Sequence, residues 1–208
     1  MAIHRADRYD LIYRGFRWHV PARFNIGEVC CARWARATPE ALAVRWEHED
    51  GRTANFTYRE LDHEAARVAG ALERLGVRRG DRVAIVMPQR FETAVAHMAV
   101  HRIAAVAMPL SMLFGPDALQ FRLADSEACV AIVDESAIDN LLAARAACPS
   151  LRSVIAVGDA QGRGDIDWTD ARSAPNGRPA IVARRCRWRS RRPNVGTSTV
   201  RHTACAPS

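Results

Sequence analysis

The chain has 208 residues, enough for one large or two small domains, and 49% of them are hydrophobic, enough for a buried core. The net charge of +7 is unevenly placed, because residues 171–208 contain nine arginines and no acid, which leaves −2 on the rest of the chain. A nearly neutral body excludes a nucleic-acid surface that extends over the whole domain.

The first predicted elements are a short amphipathic helix and a β-hairpin. The helix lies in FNIGEVCCARWARATPE and ends before Pro39. Its apolar residues recur at nearly helical spacing, at Ile26, Val29, Cys30 and Trp34. The hairpin follows, because ALAVRWE and ANFTY flank an Asp-Gly pair, and both residues tolerate the positive φ of tight turns.

A long helix is predicted after the hairpin. Thr57 and Glu60 have the spacing of a capping box, and apolar residues then recur at one-turn intervals up to Gly76. These apolar residues are Leu61, Ala65, Val68, Leu72 and Leu75.

Strands and helices alternate through the middle of the chain. RVAIVM, AVAMPL, CVAIVD and SVIAVG are apolar runs typical of strands that are buried on both faces. Between them lie helical segments at Phe91–Arg102, in PDALQFRLADS, and in IDNLLAARAA with Ser136 as its N-cap. This order predicts an α/β fold with a doubly wound parallel sheet, right-handed crossovers and ligands at the carboxyl ends of the strands.

The pattern weakens after Gly158, and from Arg184 onward there is neither a helical nor a strand period. We therefore predict a disordered basic tail. The tail's arginine, proline, serine and cysteine content from about Ala183 is also what a reading-frame change in a GC-rich gene produces. Resequencing of the locus tests that hypothesis.

Composition also restricts the compartment and the chemistry. The six cysteines form no C-x-x-C pair, the N-terminus has no apolar signal region, and no later run reaches the length of a membrane span. We therefore expect a cytoplasmic protein without a membrane span. All 30 basic residues are arginines, so the chain has no lysine to act as a nucleophile or to grip a phosphate.

A consecutive run of motifs resembles the opening of AMP-forming acyl-CoA synthetases, in the AMP-dependent synthetase/ligase family. The run contains an FTY-x-EL helix start, a helix ending in LG, a GDRVAI strand, an AVAMPL strand and a VAIVD strand. FNIGEVCCARWA and ALAVRWE resemble the acetyl-CoA and medium-chain branch. The resemblance covers about Phe24 to Gly158, and Ala104 departs from it because the family usually has glycine there.

The resemblance implies the N-terminal subdomain of the adenylate-forming enzyme fold, with only part of its sheet. We expect an extension at 1–23, the N-terminal part of the synthetase domain at 24–170, and the tail at 171–208. The intact family, part of fatty acid metabolism, uses ATP, Mg and CoA to convert a carboxylic acid into acyl-CoA, AMP and diphosphate. Its phosphate-binding loop, magnesium-binding glutamate and catalytic lysine match no residue of this chain; Gly196–Thr199 (GTST) lacks the surrounding glycines and the lysine.

We therefore expect a truncated, inactive synthetase with no catalytic residue and no cofactor of its own. Two alternatives remain open: a stand-alone nucleotide- or CoA-binding module, which can pair with a separately encoded remainder, and a nucleic-acid binder that uses RRCRWRSRR. A nucleic-acid partner is the less favoured, because charge alone gives only nonspecific binding.

Few residues are candidates for a site. The resemblance places Phe114, Gly115 and Arg122 on part of a CoA nucleotide surface, against the alternative of ordinary packing on the sheet. His97 and His101 have the spacing of two metal ligands on a helix, but no third ligand is evident, so no metal is expected. The GRGD stretch at 162–165 is interpreted as a flexible polar loop.

Overall fold

The computed structural model describes residues 8–17, 21–48, 50–173 and 184–185, which belong to two compact units. The larger unit, Arg23–Arg185, contains all the described strands. They are β1 Arg23–Phe24, β2 Leu42–Glu47, β3 Thr53–Thr57, β4 Arg82–Val86, β5 Val106–Pro109, β6 Val130–Val133, β7 Ser153–Ala156, β8 Ile166–Asp167 and β9 Arg184–Arg185.

Helices connect most of these strands. A π-helical turn at Glu28–Ala32 and a 3₁₀ turn at Gly158–Ala160 complete the larger unit. Its α-helices are α2 Arg33–Ala37, α3 Tyr58–Arg74, α4 Phe91–Arg102, α5 Pro116–Ser126, α6 Ile138–Arg145 and α7 Trp168–Ser173, and α1 Arg8–Gly15 belongs to the smaller unit.

The central sheet has five parallel strands in the order β5-β4-β6-β7-β8. The predicted parallel sheet is therefore confirmed, and the predicted hairpin is the antiparallel pair β2-β3, with Gly51 at φ +83° in its turn. The short strand β8 was missed, because a two-residue strand leaves no readable period in the sequence.

The sheet is buried on both faces, as its apolar runs predicted. Along β4, Val83 and Ile85 contribute to one hydrophobic cluster with residues of α3 and α4, whereas Ala84 and Val86 contribute to a second cluster with residues of α5 and α6. Because consecutive side chains of a strand point to opposite faces, a continuous apolar run is what a helix-sheet-helix sandwich requires.

Two helices end in the same way but with different residues. α3 begins with the predicted capping box of Thr57 and Glu60, and past its end Gly76 has φ +79°. At the equivalent position after α4, Ala104 has φ +57°. Each turn is closed by two backbone hydrogen bonds, from Gly76 and Val77 after α3 and from Ala104 and Ala105 after α4. Alanine at position 104, where the family usually has glycine, therefore adopts the left-handed backbone conformation that favours glycine.

The helix near the N-terminal end of the larger unit has a different buried face from the one predicted. Cys31 and Ala32 are buried, whereas Ile26, Cys30 and Trp34 are exposed. The reason is the π-helical turn, whose wider winding rotates the face relative to a regular α-helix.

This segment is fixed by Asn25, which lies against the C-terminal end of α4. Its side-chain amide donates to the carbonyls of His101, at 2.7 Å, and Arg102, at 3.3 Å, and its oxygen accepts from the backbone N–H of Glu28. Asn25 therefore adds a hydrogen bond to the His101 carbonyl, which already has a backbone donor, and pairs a backbone N–H at the start of the π-helical turn. Nearby, Arg102 pairs with Asp62 of α3 at 2.7 Å in a nearly buried ion pair.

The GRGD stretch is anchored to the sheet. Asp165 accepts from the backbone N–H of Val154 at 2.7 Å and pairs with Arg145 at the same distance, while Arg163 pairs with Asp139. These contacts hold the predicted polar loop against the sheet, and its flexibility stays a prediction.

Little of the predicted basic tail is described. Residues 171–173 belong to α7, and Arg184–Arg185 pair with Arg23–Phe24 in an antiparallel arrangement. These five residues are therefore in regular structure and not disordered as predicted, whereas the rest of the predicted tail, the frame-change hypothesis and RRCRWRSRR beyond Arg185 fall outside the described residues.

The smaller unit consists of Met1–Ala22 and Cys186–Ser208, of which α1 and residues 16–17 and 21–22 are described. Tyr9 and Tyr13 stack one helical turn apart, with ring centroids 5.8 Å apart. Among the helices that the structure describes, none is both long and apolar enough to cross a membrane.

Candidate functional site

The sheet reverses its strand order at β4. The chain leaves β4 for β5 on one side and later returns to its other side as β6, so the carboxyl ends of β4 and β6 form a topological switch point. A cavity of about 1150 Å³ opens there, and we call it the switch-point crevice. It is lined by Trp46, Glu47, His48, Arg52, Ala54, Phe56, Glu60, His63, Glu64, Pro88, Gln89, Arg90, Phe91, Glu92, Glu135, Gly158, Asp159 and Arg172.

Arg90 is the central cation of this crevice. Its guanidinium contacts Glu92 at 2.9 Å, and Asp134 and Glu135 at 3.3 Å each. Partial burial alone lowers the pKa of Arg90, but the three carboxylates outweigh burial and raise it above its ordinary value. Arg90 therefore stays charged and joins the segment after β4 to the segment after β6.

Asp134 follows β6 directly and is fully buried. One of its carboxylate oxygens accepts from Arg90, and the other accepts from the backbone N–H of Ser136, at 3.1 Å, and from its hydroxyl, at 2.5 Å. Ser136 was predicted to cap α6, and that prediction is wrong. The N-cap of α6 is Ala137, because the Ser136 hydroxyl turns back to Asp134.

Gly158 closes the crevice after β7. It has φ +63°, and a Cβ placed on it would lie 2.5 Å from Glu135 Oε2 and 2.9 Å from a guanidinium nitrogen of Arg90. Glu135 also accepts from the backbone N–H of Asp159 at 3.1 Å. Only glycine combines this backbone conformation with so close an approach of the ion pair.

The structure brings the three candidate CoA residues together. Gly115 is the N-cap of α5, Phe114 precedes it, and the Arg122 guanidinium lies 4.1 Å from the centre of the Phe114 ring. Arg122 also donates to the Ala118 carbonyl at 3.0 Å, and Asn140 of α6 donates to the Phe114 carbonyl at 3.2 Å. The alternative of ordinary packing holds for Phe114 in part, because its half-buried ring also contacts the α5-α6 core.

Two exposed apolar side chains are next to these residues in the chain. Leu113 and Phe121 are 85% and 68% exposed, and no atom lies within 4 Å of the Cβ position of Gly115. An aromatic ring, a guanidinium and open apolar surface can hold a planar base next to a phosphate. We call Leu113, Phe114, Gly115, Phe121 and Arg122 the α5 surface.

His97 and His101 lie on one face of α4, with ring centroids 6.2 Å apart. Burial lowers the pKa of His97 below its ordinary value. Among the described residues, no group of three or more His, Cys, Asp or Glu side chains could hold a metal ion. The two histidines thus lie side by side on α4, and the absence of a metal stays a prediction.

The switch-point crevice does not fit a polyphosphate. Six of its lining residues are acidic and three are arginines, so negative charge predominates. The lining is therefore electrostatically unfavourable to the polyphosphate of ATP.

The residues of the crevice could in part have been found from sequence. Asp134 and Gly158 end two of the predicted strands, and Arg90 and Glu135 follow predicted strands within three residues, which is where a doubly wound sheet places its ligands. The order of the strands in the sheet could not be predicted, because apolar runs do not reveal which strands are neighbours.

The chain matches the family described as AMP-binding enzyme over residues 31–193. It is 34% identical over 166 residues to Acetyl-coenzyme A synthetase 2 of Pseudomonas putida, and the matched region covers 75% of this chain and 26% of that protein. It is 33% identical over 174 residues to Acetyl-coenzyme A synthetase of Magnetococcus marinus, and the matched region covers 79% of this chain and 27% of that protein. The chain thus spans about a quarter of the length of these curated relatives.

Solved structures agree with the sequence comparison. Acetoacetyl-CoA Synthetase from Streptomyces lividans is 26% identical, with a TM-score of 0.73 over 81% of this chain and 28% of that one. A Brucella canis Acyl-CoA Synthetase is 25% identical, with a TM-score of 0.72 over 86% of this chain and 34% of that one. The family match, the relatives and the doubly wound sheet agree that the chain belongs to the AMP-binding enzyme family.

Proposed function

We propose that the chain provides the CoA nucleotide surface of an AMP-forming acyl-CoA synthetase. In that reaction a carboxylic acid, ATP and CoA give acyl-CoA, AMP and diphosphate. The observation that carries the proposal is the Arg122 guanidinium 4.1 Å from the Phe114 ring, next to the open backbone of Gly115. The acetyl-coenzyme A synthetase relatives make acetate the first acid to test.

The α5 surface offers CoA two kinds of contact. Phe114 and the exposed Phe121 present apolar rings to the adenine, and the Arg122 guanidinium has N–H donors left for a phosphate, since the Ala118 carbonyl uses one of them. Leu113, with 85% of its surface exposed, lies next to Phe114 and enlarges the apolar area. Together these groups can orient the nucleotide end of CoA.

Isothermal titration calorimetry of the 208-residue chain with CoA tests this role. We expect Arg122→Gln to weaken binding about tenfold or more, because a hydrogen bond to a charged group contributes about 1.5–3 kcal/mol. Arg74→Gln is the matched control, since Arg74 is an exposed arginine at the end of α3, away from the α5 surface. Equal affinities of the two variants would refute the assignment.

We also propose that the 208-residue chain alone does not form acyl-CoA, as our sequence prediction states. The support is chemical: the chain has no lysine, whereas the resemblance implies a catalytic lysine in the intact family. Catalysis would then depend on a separately encoded or otherwise supplied remainder. We further propose a cytoplasmic location, in keeping with the free thiols of Cys30, Cys31, Cys129 and Cys148 among the described cysteines.

The activity assay follows AMP release and acetyl-CoA formation with acetate, ATP, Mg and CoA. We expect no product above a protein-free blank. Turnover that co-elutes with the 23.0 kDa chain through two chromatography steps would contradict the proposal.

A further inference from the structure

The switch-point crevice carries an excess of negative charge that its own arginines do not neutralise. Its acidic residues are Glu47, Glu60, Glu64, Glu92, Glu135 and Asp159, against Arg52, Arg90 and Arg172. The lining therefore has a formal charge of −3, although the whole chain has a charge of +7.

Each of the three arginines is held by an acidic residue. Arg90 contacts Glu92 and Glu135. Arg172 pairs with Glu64 at 2.8 Å, and Arg52 pairs with Asp50 at 2.7 Å. An anionic ligand would have to break these pairs, whereas a cationic ligand would meet exposed carboxylates.

Two of those carboxylates lie on different elements of the lining. Glu47 is the last residue of β2, in the hairpin, and Asp159 lies in the 3₁₀ turn after β7. Both are exposed, and neither has an ion-pair partner among the described residues. They are the carboxylates most available to an incoming cation.

Aromatic rings line the same crevice. Trp46 is held in place by its indole N–H, which donates to the Gln89 carbonyl at 3.1 Å. Phe56 of the hairpin stacks on Phe91 at the start of α4, with ring centroids 3.8 Å apart. Fixed rings beside carboxylates are the surroundings in which a planar guanidinium binds well, because it stacks on a ring while it pairs with an acid.

We propose that the switch-point crevice is a docking surface for an arginine-bearing segment of a partner polypeptide. The charge of the lining is complementary to such a segment, and the aromatic rings favour arginine over lysine. The volume of about 1150 Å³ and the two exposed carboxylates on different elements suit a segment that carries more than one cation. This surface is separate from the α5 surface and adds a protein partner to the proposed CoA role.

Fluorescence anisotropy with labelled nona-arginine as the probe tests the docking surface on the full 208-residue chain. We expect saturable binding that the double variant Glu47→Gln with Asp159→Asn weakens about fivefold to tenfold, because each exposed ion pair contributes up to about fivefold. The matched control is Glu73→Gln with Asp125→Asn, which removes two exposed acids outside the crevice and should change the dissociation constant less than about twofold.

Two further probes complete the experiment. Nona-lysine should bind more weakly than nona-arginine, and Trp46→Phe should reduce that difference. The proposal is overturned if the control double variant weakens binding as much as the crevice double variant, or if nona-lysine binds as tightly as nona-arginine. It is also overturned if spermine displaces nona-arginine when the two probes are present at the same concentration of positive charges.

Discussion

Replacement of Gly158 by alanine perturbs the switch-point crevice at its most constrained backbone position. Gly158 has φ +63°, and the added Cβ would lie 2.5 Å from Glu135 Oε2 and 2.9 Å from Arg90. The carboxylate therefore has to move away, and its contacts with Arg90 and with the Asp159 N–H weaken.

The expected loss of stability has two parts. The left-handed conformation costs alanine about 1–2 kcal/mol, less about 0.4–1 kcal/mol because alanine lowers the entropy of the unfolded chain. Loss of one hydrogen bond and one exposed ion pair adds about 1–2 kcal/mol. Gly158→Ala should therefore lower the free energy of unfolding by about 2–3 kcal/mol.

The variant Gly162→Ala separates the backbone cost from the loss of contacts with Glu135. Gly162 has φ +83°, but no atom lies within 4 Å of its Cβ position, so alanine there meets only the backbone cost of about 1 kcal/mol. Urea unfolding followed by circular dichroism measures both variants, with the m-value checked for constancy. Equal losses at Gly158 and Gly162 would refute the close-approach argument.

Two further predictions concern the buried groups between α3, α4 and the π-helical turn. Asp62→Asn should lower the free energy of unfolding by about 3 kcal/mol in urea, because it removes the carboxylate that pairs with Arg102. Adding Arg102→Met should recover at least half of that loss. In the control, Glu40→Gln removes an exposed pair with Arg59 and should cost at most about 1 kcal/mol. Burial, and after it the charge of Asp62, raise the pKa of Cys31 from 9.0 to about 12. Between these two pH values the folded state keeps the thiol proton and the unfolded state loses it, so the free energy of unfolding should fall as pH rises from 9 towards 12. Cys31→Ala should flatten that alkaline loss and Cys30→Ala, at an exposed thiol, should not; identical pH profiles of the two variants would contradict the assignment.

The sequence was informative wherever local chemistry decides the structure. The capping box at Thr57, the Asp-Gly turn at Gly51 and the apolar strands were all predicted, because each depends on neighbours within a few residues. Ser136 was assigned the wrong role because its hydroxyl bonds to the buried Asp134, whose position is set by Arg90 on another element.

The rest of the site depends on contacts between residues far apart in the chain. Arg90 and Glu135 are 45 residues apart, and Phe56 stacks on Phe91 across the hairpin and α4. No periodicity encodes such pairs. By contrast, the family resemblance placed Phe114, Gly115 and Arg122 on one surface, and the structure groups them there because all three lie at the start of α5 or within it.

The most direct test of the proposed CoA surface compares CoA with dephospho-CoA, which lacks only the 3′-phosphate. If the Arg122 guanidinium beside Phe114 holds that phosphate, calorimetry of the unmodified chain should show CoA binding about tenfold or more tightly than dephospho-CoA, and Arg122→Gln should abolish the difference. Equal affinity for the two ligands in the unmodified chain would contradict the assignment of the α5 surface.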